Sequence, residues 1–412
     1  MVSLSLRLRW VAVTVFVFSA ALNYLDRQIL ATMVDVWRTA GPASPANPGF
    51  AMDYASYGVL LSVFSVAYAL SAPFMGWFLD RVGLNLGMSV SVAVWAVASL
   101  GTGTVHTFHQ LLYWRVLLGV AEAAGVSAQA KISGMYLLPE ERALGAAAQQ
   151  LGLTIGAGLA PAFTVFFSYG YSWRWTFFAA AVASLVWIPV WLATTRAIPA
   201  AVEQGSGAPA TGTTGSQIRD PRLWALMAAN ALGMTLYSLW TNWAPPYLVR
   251  VHHLTPPRAA HYTWAVPVAA WLGAFTGGAL SWRWIRHGTS AVAARKRACL
   301  TGSALAVITS LIPLTPTPLT ATIGMSLSLF LVAAWSTNLY TIPVDLYGSA
   351  RAAFGVSALV FSYGAMQALV SKPLGLWIEH SGFTPVCLAL ATLPLVGTLL
   401  VYWQVPSERL GR

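Results

Sequence analysis

Residues 76–83 read Gly-Trp-Phe-Leu-Asp-Arg-Val-Gly, so an acid and a base, Asp80 and Arg81, stand between two apolar segments. These segments, 55–79 and 84–104, match the roughly 20 residues that one helix needs to cross a bilayer. A short charged turn between them is typical of a chain that crosses a membrane, turns and crosses back. This stretch therefore predicts an all-α membrane protein.

The composition of the whole chain supports the same conclusion. A soluble domain has about 25% charged residues, whereas this chain of 412 residues has 8%, with 57% hydrophobic residues and a mean hydropathy of +0.64. A soluble fold has too little interior to bury so much apolar surface. The composition therefore excludes an ordinary soluble protein.

Apolar segments of spanning length recur along the rest of the chain. The predicted spans are 10–33, 55–79, 84–104, 109–137, 143–168, 174–194, 222–249, 259–282, 298–314, 319–345, 352–378 and 383–404. A segment rich in Gly, Pro, Ser, Thr and Gln, 195–221, separates the first six spans from the last six. We therefore predict twelve transmembrane helices in two six-helix pseudo-symmetric bundles, 1–194 and 222–412, joined by a linker.

The second half repeats the spacing of the opening motif. Gly278, Ser281, Trp282 and Arg283 end its second span as Gly76, Leu79, Asp80 and Arg81 end the corresponding span of the first half. Repeated halves are the usual architecture of secondary transporters, in which one half rocks against the other around a central site. A chance similarity between two loops is the alternative.

The charges of the chain are distributed unevenly between its two sides. The formal net charge is +11, and most of the 23 Lys and Arg residues fall in loops on one predicted side, including the run 295–297. Basic loops favour the cytoplasmic side of a membrane. We therefore expect a multi-pass protein of the cell inner membrane with both termini and the linker in the cytoplasm. We also expect it to be a monomer. Binding of phosphate by the basic run is a weaker alternative, and no nucleic-acid partner is expected.

No motif indicates covalent chemistry. Cys299 and Cys387 lie in different predicted spans, and His252, His253 and His261 are expected to be solvated near an outer loop. No nucleophile-and-base arrangement and no phosphate-binding glycine loop is present. We therefore predict no enzyme activity, no cofactor and no metal site.

The first span carries a polar strip formed by Asn23, Tyr24, Asp26 and Arg27. Ionisable residues within a bilayer are expensive, so each is a candidate for function. Asp26 and Arg27 point about 100° apart on a helix, so each needs its own partner. The guanidinium of Arg27 suits a substrate carboxylate, and a shielded Asp26 suits proton exchange. A structural ion-pair network is the alternative.

Glu122 lies midway along the fourth span among small residues. A lone carboxylate at membrane depth is suited to carrying a proton. Pairing with Arg115 or Lys131 is the structural alternative. Other polar-tipped residues are expected near a cavity: Tyr68, Trp240, Asn242, Asn338 and Tyr340.

At its predicted position, the motif Gly76 to Gly83 resembles the signature of the major facilitator superfamily between helices two and three. The resemblance implies the major facilitator fold. It also implies that Asp80 and Arg81, flanked by the signature glycines Gly76 and Gly83, act in a conformational gate, with Arg142 as a companion.

Four further stretches resemble the anion:cation symporter family, which includes proton-coupled carriers of hexuronates and D-galactonate. They are Asn23-Tyr24-Leu25-Asp26-Arg27-Gln28, Trp114-Arg115 through Gly119 to Glu122-Ala123, Ser172-Trp173-Arg174-Trp175 and Ala294-Arg295-Lys296-Arg297. The resemblance implies that Arg27 binds a substrate carboxylate and that Asp26 and Glu122 couple transport to protons. It also implies that Tyr24 and Gln150 face the substrate.

Two departures from that family limit the resemblance. Trp282 replaces the usual acid of the second-half motif, so a gate there must be built differently. The eleventh span offers Ser362, Gln367 and Lys372 where similar sugar-acid carriers place asparagine. The predicted function is proton-coupled symport of a small carboxylate, of which a sugar acid is one example. The alternatives are proton-driven export of an amphipathic compound and a membrane receptor that binds a ligand without moving it.

Overall fold

The computed structural model describes residues 2–39, 49–137, 141–198, 218–347 and 352–406, which are mostly helical and include no strand. The helices of the described residues are α1 (Val2–Thr39), α2 (Tyr54–Val82), α3 (Leu84–Gly103), α4 (Phe108–Glu122), α5 (Ala124–Tyr136), α6 (Arg142–Gly170), α7 (Trp173–Ala197), α8 (Pro221–Val251), α9 (Pro256–Thr263), α10 (Ala265–Arg286), α11 (Ala291–Ala306), α12 (Pro318–Tyr347), α13 (Ala352–Ser381) and α14 (Phe383–Gln404). A 3₁₀ segment, Val307–Leu314, continues α11.

Eleven segments of the described chain are long and apolar enough to cross a membrane. Helix α8 has 31 residues but is not among them, because polar residues such as Asn230 and Asn242 and the pair Pro245–Pro246 dilute its apolar character. Together with α8, these segments match the twelve predicted spans.

Two predicted spans are interrupted. The span predicted at 109–137 consists of α4 and α5, which meet at Ala123, and that predicted at 259–282 consists of α9 and α10, which meet at Trp264. The first interruption follows Glu122 directly, so it adjoins a predicted functional residue.

Contacts divide the helices into two compact units. The first contains α1–α7 and α9, and the second contains α8 and α10–α14. Helix α7 runs three residues into the segment predicted as a linker, and most of that segment, 199–217, lies outside the described residues.

Glycines bring helix backbones together in the first unit. A Cβ atom on Gly156 of α6 would lie 2.1 Å from the carbonyl oxygen of Ala21 on α1, and one on Gly152 would lie 2.7 Å from that of Val17. Since these neighbours are backbone atoms, they cannot rotate away. The α1–α6 contact therefore requires glycine at both positions, and it fixes the rotation of α1 and its polar strip.

The second unit closes through a contact between its first and last helices. A Cβ atom on Gly397 of α14 would lie 2.9 Å from the backbone of Ala229 on α8. The end of α14 is held by Lys296, whose Nζ donates to the carbonyl of Val405 and lies 4.5 Å from the ring centroid of Tyr402. A cation at this end complements the helix dipole.

Candidate functional site

The two adjacent charges of α1 contact different helices. The hydroxyl of Ser99 on α3 donates to the buried carboxylate of Asp26. Arg27 donates from Nε and Nη2 to Oε2 of Glu122 at the end of α4, over 3.2 Å and 2.9 Å. Each charge thus has its own partner, as their angular separation on the helix requires.

Three aromatic rings surround the guanidinium of Arg27. Its Cζ atom lies 5.0 Å from the ring centroid of Tyr24, 4.9 Å from that of Phe64 and 5.0 Å from that of Tyr68. The faces of the rings attract a cation and fix its orientation. The side chain of Arg27 is 22% exposed whereas that of Glu122 is fully buried, so Arg27 is the accessible member of the pair.

The pair lies in the wall of a cavity of about 120 Å³. Five residues predicted for the site line this cavity: Asn23, Tyr24, Arg27, Tyr68 and Glu122. The structure therefore brings together residues from α1, α2 and α4 that are distant in sequence.

A second buried cation lies close to this pair. Arg115 precedes Glu122 by two helical turns, is 3% exposed and interacts electrostatically with Asp26 and Glu122. Its Nε atom has no hydrogen-bond partner among the described residues. Two cations, Arg27 and Arg115, thus balance two acids inside the first unit.

The predicted gate motif forms an ion pair at one end of the first unit. Asp80 lies 2.7 Å from Nζ of Lys131 on α5, which also donates to the carbonyl of Leu79 over 2.8 Å. Arg81 stacks on Trp77, with its Cζ atom 5.7 Å from the ring centroid. Lys131 therefore pairs with Asp80 and not with Glu122.

The glycines of the motif shape the same end. Gly83 has φ +87°, a conformation that favours glycine, and its N–H donates to the carbonyl of Leu79 as α2 ends and α3 begins. A Cβ atom on Gly76 would lie 3.2 Å from Oγ of Ser127 on α5. Arg142 begins α6 at this end, but its side chain lies outside the described residues. We call this end of the first unit the Gly83 end.

Two predicted substrate residues belong to the second unit and make contacts within it. Asn242 donates to the carbonyl and hydroxyl oxygens of Ser238, one turn earlier on α8. Asn338 donates to the carbonyl of Gly277, which joins α12 to α10, and its Oδ1 atom accepts from Arg295 over 3.4 Å. Neither is among the residues that line the cavity of the first unit.

The second unit has its own charged cluster near the repeated motif. Arg295 on α11 donates to the hydroxyl of Ser281 over 2.6 Å and to the carboxylate of Asp345 over 3.5 Å. The acid of this cluster is thus Asp345 of α12. Trp240 and Tyr340 also bond within this unit, with Ser328 and Asn230 respectively.

Comparison with known proteins identifies the family. The family model of the Major Facilitator Superfamily matches residues 16–371. The chain belongs to this superfamily. It is 24% identical to the hexuronate transporter of Escherichia coli, covering 98% of this chain and 95% of that protein. It is 23% identical to the D-galactonate transporter of the same species, covering 95% and 94%.

The fold agrees with that of a solved Major Facilitator Superfamily transporter. A bacterial homologue of the human lysosomal transporter Spinster, crystallised in an inward-facing and unoccupied conformation, superposes with a TM-score of 0.74 at 19% identity, covering 97% of this chain and 95% of that one. The predicted fold class, the predicted resemblance and the prediction of a multi-pass membrane transporter instead of an enzyme are confirmed.

At one predicted site position of this superfamily member, the adjacent residue in the sequence faces the cavity instead. Gln150 is exposed and is not among the residues that line the cavity, whereas Gln149 is buried in its wall. Consecutive helical residues point about 100° apart, and the sequence of α6 did not reveal its rotation. Trp95 and Gln129 also line the cavity, although nothing in the sequence distinguishes them from ordinary packing residues.

Proposed function

We propose that this member of the superfamily is a proton-coupled symporter of a small organic anion, working by alternating access in the cell inner membrane. Two similar proteins are named for hexuronate and D-galactonate transport, which favours a carboxylate such as a sugar acid. Basic loops favour a cytoplasmic position for both termini.

The observation that carries this proposal is that Arg27 is bonded to Glu122 in the wall of a cavity. A substrate carboxylate that enters the cavity competes with Glu122 for the same guanidinium. Protonation of Glu122 removes its charge and frees Arg27 for the substrate. Anion and proton therefore favour each other's binding, which is the reciprocal coupling that symport requires.

The low polarity of the surroundings strengthens this competition. Removing one partner of a buried ion pair typically costs about 3–5 kcal/mol, because an uncompensated charge remains. Adding an anion to the buried, balanced set without a proton would leave an excess negative charge. Asp26, whose carboxylate accepts from Ser99, is a second proton site in the proposal.

The test is uptake into proteoliposomes that contain the purified protein. Labelled hexuronates, aldonates and simple monocarboxylates are offered with and without an imposed pH gradient. We expect the gradient to drive accumulation of at least one carboxylate, and we expect Arg27→Ala to abolish binding of the same compound in a thermal-shift assay.

Uptake of every accepted carboxylate that ignores the gradient would rule out proton coupling. Binding that survives in Arg27→Ala would reject Arg27 as the anchor. Ligand stabilisation without flux under any gradient would instead select the receptor alternative.

A further inference from the structure

A second buried acid of α1 lies apart from the cavity. Asp35 is 1% exposed, and its Oδ1 atom accepts from the hydroxyl of Tyr54, the first residue of α2, over 3.0 Å. Asp35 is not among the residues that line the cavity around Arg27. Since α2 runs from Tyr54 to the Gly83 end, Asp35 lies at the opposite end of the first unit, which we call the Tyr54 end.

The carboxylate of Asp35 is satisfied at one oxygen only. Its Oδ2 atom has no hydrogen-bond partner among the described residues. Arg38 on the same helix lies over the ring of Tyr54, with its Cζ atom 3.9 Å from the ring centroid. A buried ionised carboxylate is costly unless it is both paired and fully hydrogen-bonded. A proton, which removes the charge, is therefore the ligand that suits Oδ2.

Asp35 is one helical turn from the surface of the protein. The exposed Thr39 donates from its hydroxyl to the backbone carbonyl of Asp35 over 2.7 Å. Tyr169 at the end of α6 is 54% exposed and interacts with both residues. A proton from the solution at the Tyr54 end thus has a short way to Oδ2. The titratable and charged groups that interact with Asp35 are Tyr54 and Tyr57 of α2, Tyr169 of α6 and Arg38 of its own helix.

The charge of Asp35 also acts on the Arg27–Glu122 pair. Asp35 follows Arg27 by eight residues on the same helix, which is about 12 Å along the helix axis. At an effective dielectric constant of about 20, removing one negative charge at that distance strengthens anion binding to Arg27 by about tenfold. The fully buried Tyr57 interacts with both Asp35 and Arg115, which places protein groups between the two sites.

We propose that Asp35 is a third proton-binding site, filled from the Tyr54 end, and that its neutralisation strengthens anion binding at Arg27. This inference rests on the proposed function, in which Arg27 anchors the anion. A hydronium ion gives its proton to Oδ2 and becomes water, and the carboxylate becomes a neutral carboxyl whose Oδ1 still accepts from Tyr54. Asp35 is thus a positioning residue that acts on the anion through charge and not through contact.

Infrared spectroscopy tests proton binding directly, because a protonated carboxyl group has a C=O stretching band that a carboxylate lacks. Difference spectra of the whole protein are recorded without any anion between about pH 5 and pH 8, a range in which exposed aspartates stay ionised. We expect one carboxyl band of the unmodified protein to be missing from Asp35→Asn. The control is Asp53→Asn, which should keep that band. Asp53 is an exposed acid at the same end that caps α2 through the N–H of Ser56, and asparagine caps a helix equally well.

A second variant serves if Asp35→Asn does not fold. In Asp26→Asn made with ¹³C-labelled aspartate, a labelled carboxyl band should remain, since Asp35 is then the buried aspartate of the described residues. Identical spectra of Asp35→Asn and the unmodified protein would overturn the proposal, as would loss of every labelled band in Asp26→Asn. Either result would make Asp35 a hydrogen-bonding partner of Tyr54 and nothing more.

Thermal-shift titrations test the effect on the anion. At neutral pH we expect Asp35→Asn to bind the transported carboxylate about tenfold more tightly than the unmodified protein, and Asp53→Asn to bind it equally well. At acidic pH the three proteins should differ little, because Asp35 is then neutral in all of them. Equal affinity of Asp35→Asn and the unmodified protein at neutral pH would reject the coupling. If no carboxylate binds to the unmodified protein, the proposed function alone is refuted, because the infrared bands report proton binding without an anion.

Discussion

The two carboxylate oxygens of Glu122 have different surroundings. Oε2 accepts both hydrogen bonds from Arg27, whereas Oε1 faces no donor among the described residues. A glutamine at this position keeps the shape of the side chain but loses the charge that competes for Arg27. A substitution of Glu122 can therefore separate proton binding from anion binding.

We predict that Glu122→Gln retains anion binding and exchange but loses accumulation driven by a pH gradient. In the unmodified protein, anion affinity should rise as the pH falls, because a proton on Glu122 releases Arg27. In the variant, the affinity should depend less on pH, because Asp26 and Asp35 are then the proposed proton sites that remain. Thermal-shift titrations at several pH values measure the affinity, and proteoliposome uptake measures accumulation. Equal loss of binding and accumulation in a folded variant would make Glu122 a structural residue.

The sequence identified these residues but not how they pair. Asp26, Arg27 and Glu122 were predicted as functional because ionisable groups are costly within a bilayer. Their pairing depends on how the helices are rotated and on how far along each helix the residue lies. Arg27 and Glu122, for example, are 95 residues apart in the sequence. For that reason Arg115 and Lys131 were the expected structural partners of Glu122, and Arg27 is the observed one.

At the scale of single helices, the α1–α6 contact determines where Arg27 lies. We predict that Gly156→Ala destabilises the protein by about 1–3 kcal/mol, because its methyl group must displace the backbone of α1. The same shift moves Arg27 and should weaken anion binding. Melting temperature and thermal-shift binding test both effects.

The matched control is Gly170→Ala at the other end of α6, where a Cβ atom meets nothing within 4 Å. This variant should melt and bind as the unmodified protein does. A comparable loss in the two variants would mean that the effect comes from helix α6 in general and not from its contact with α1.

The ion pair between α2 and α5 provides a separate test of the proposed gate. Because the Asp80 side chain is 72% exposed, the pair should contribute less than about 1 kcal/mol to stability. We predict that Asp80→Lys and Lys131→Asp each slow uptake with little change in melting temperature. Combining them should restore part of the uptake, because the ion pair forms again with its charges exchanged. The rescue should be incomplete, because an aspartate at position 131 cannot donate to the carbonyl of Leu79. A double variant no better than either single variant would argue against a gating role for the pair.

The interruptions of two spans could not be predicted from hydropathy. Residues 109–137 form one apolar segment, yet α4 ends at Glu122 and α5 begins at Ala124. Hydropathy measures how apolar a segment is and contains no information about a local change in backbone angles. Gly83 was easier to interpret, since a turn with positive φ favours glycine.

At the scale of the whole molecule, α8 decides the topology. If all twelve segments cross the membrane, both ends of the chain lie on one side, whereas eleven crossings would place them on opposite sides. We predict that a fluorescent protein fused after Arg412 is bright and that alkaline phosphatase at the same position is inactive, as for a cytoplasmic terminus. The same fusions after Val251, at the far end of α8, should give the reverse result. An active phosphatase after Arg412 would show that one segment does not cross.

The packing of α14 on α8 has a consequence for biosynthesis. Helix α8 leaves the ribosome before any other helix of its unit, and α14 leaves after all the others. The close approach of Gly397 to Ala229 and the bond from Lys296 to Val405 can form only then. Until translation reaches α14, the face of α8 that it covers must be shielded by lipid or by an insertion chaperone. Substitutions at Gly397 should therefore reduce the yield of protein in the membrane through degradation of unfinished bundles.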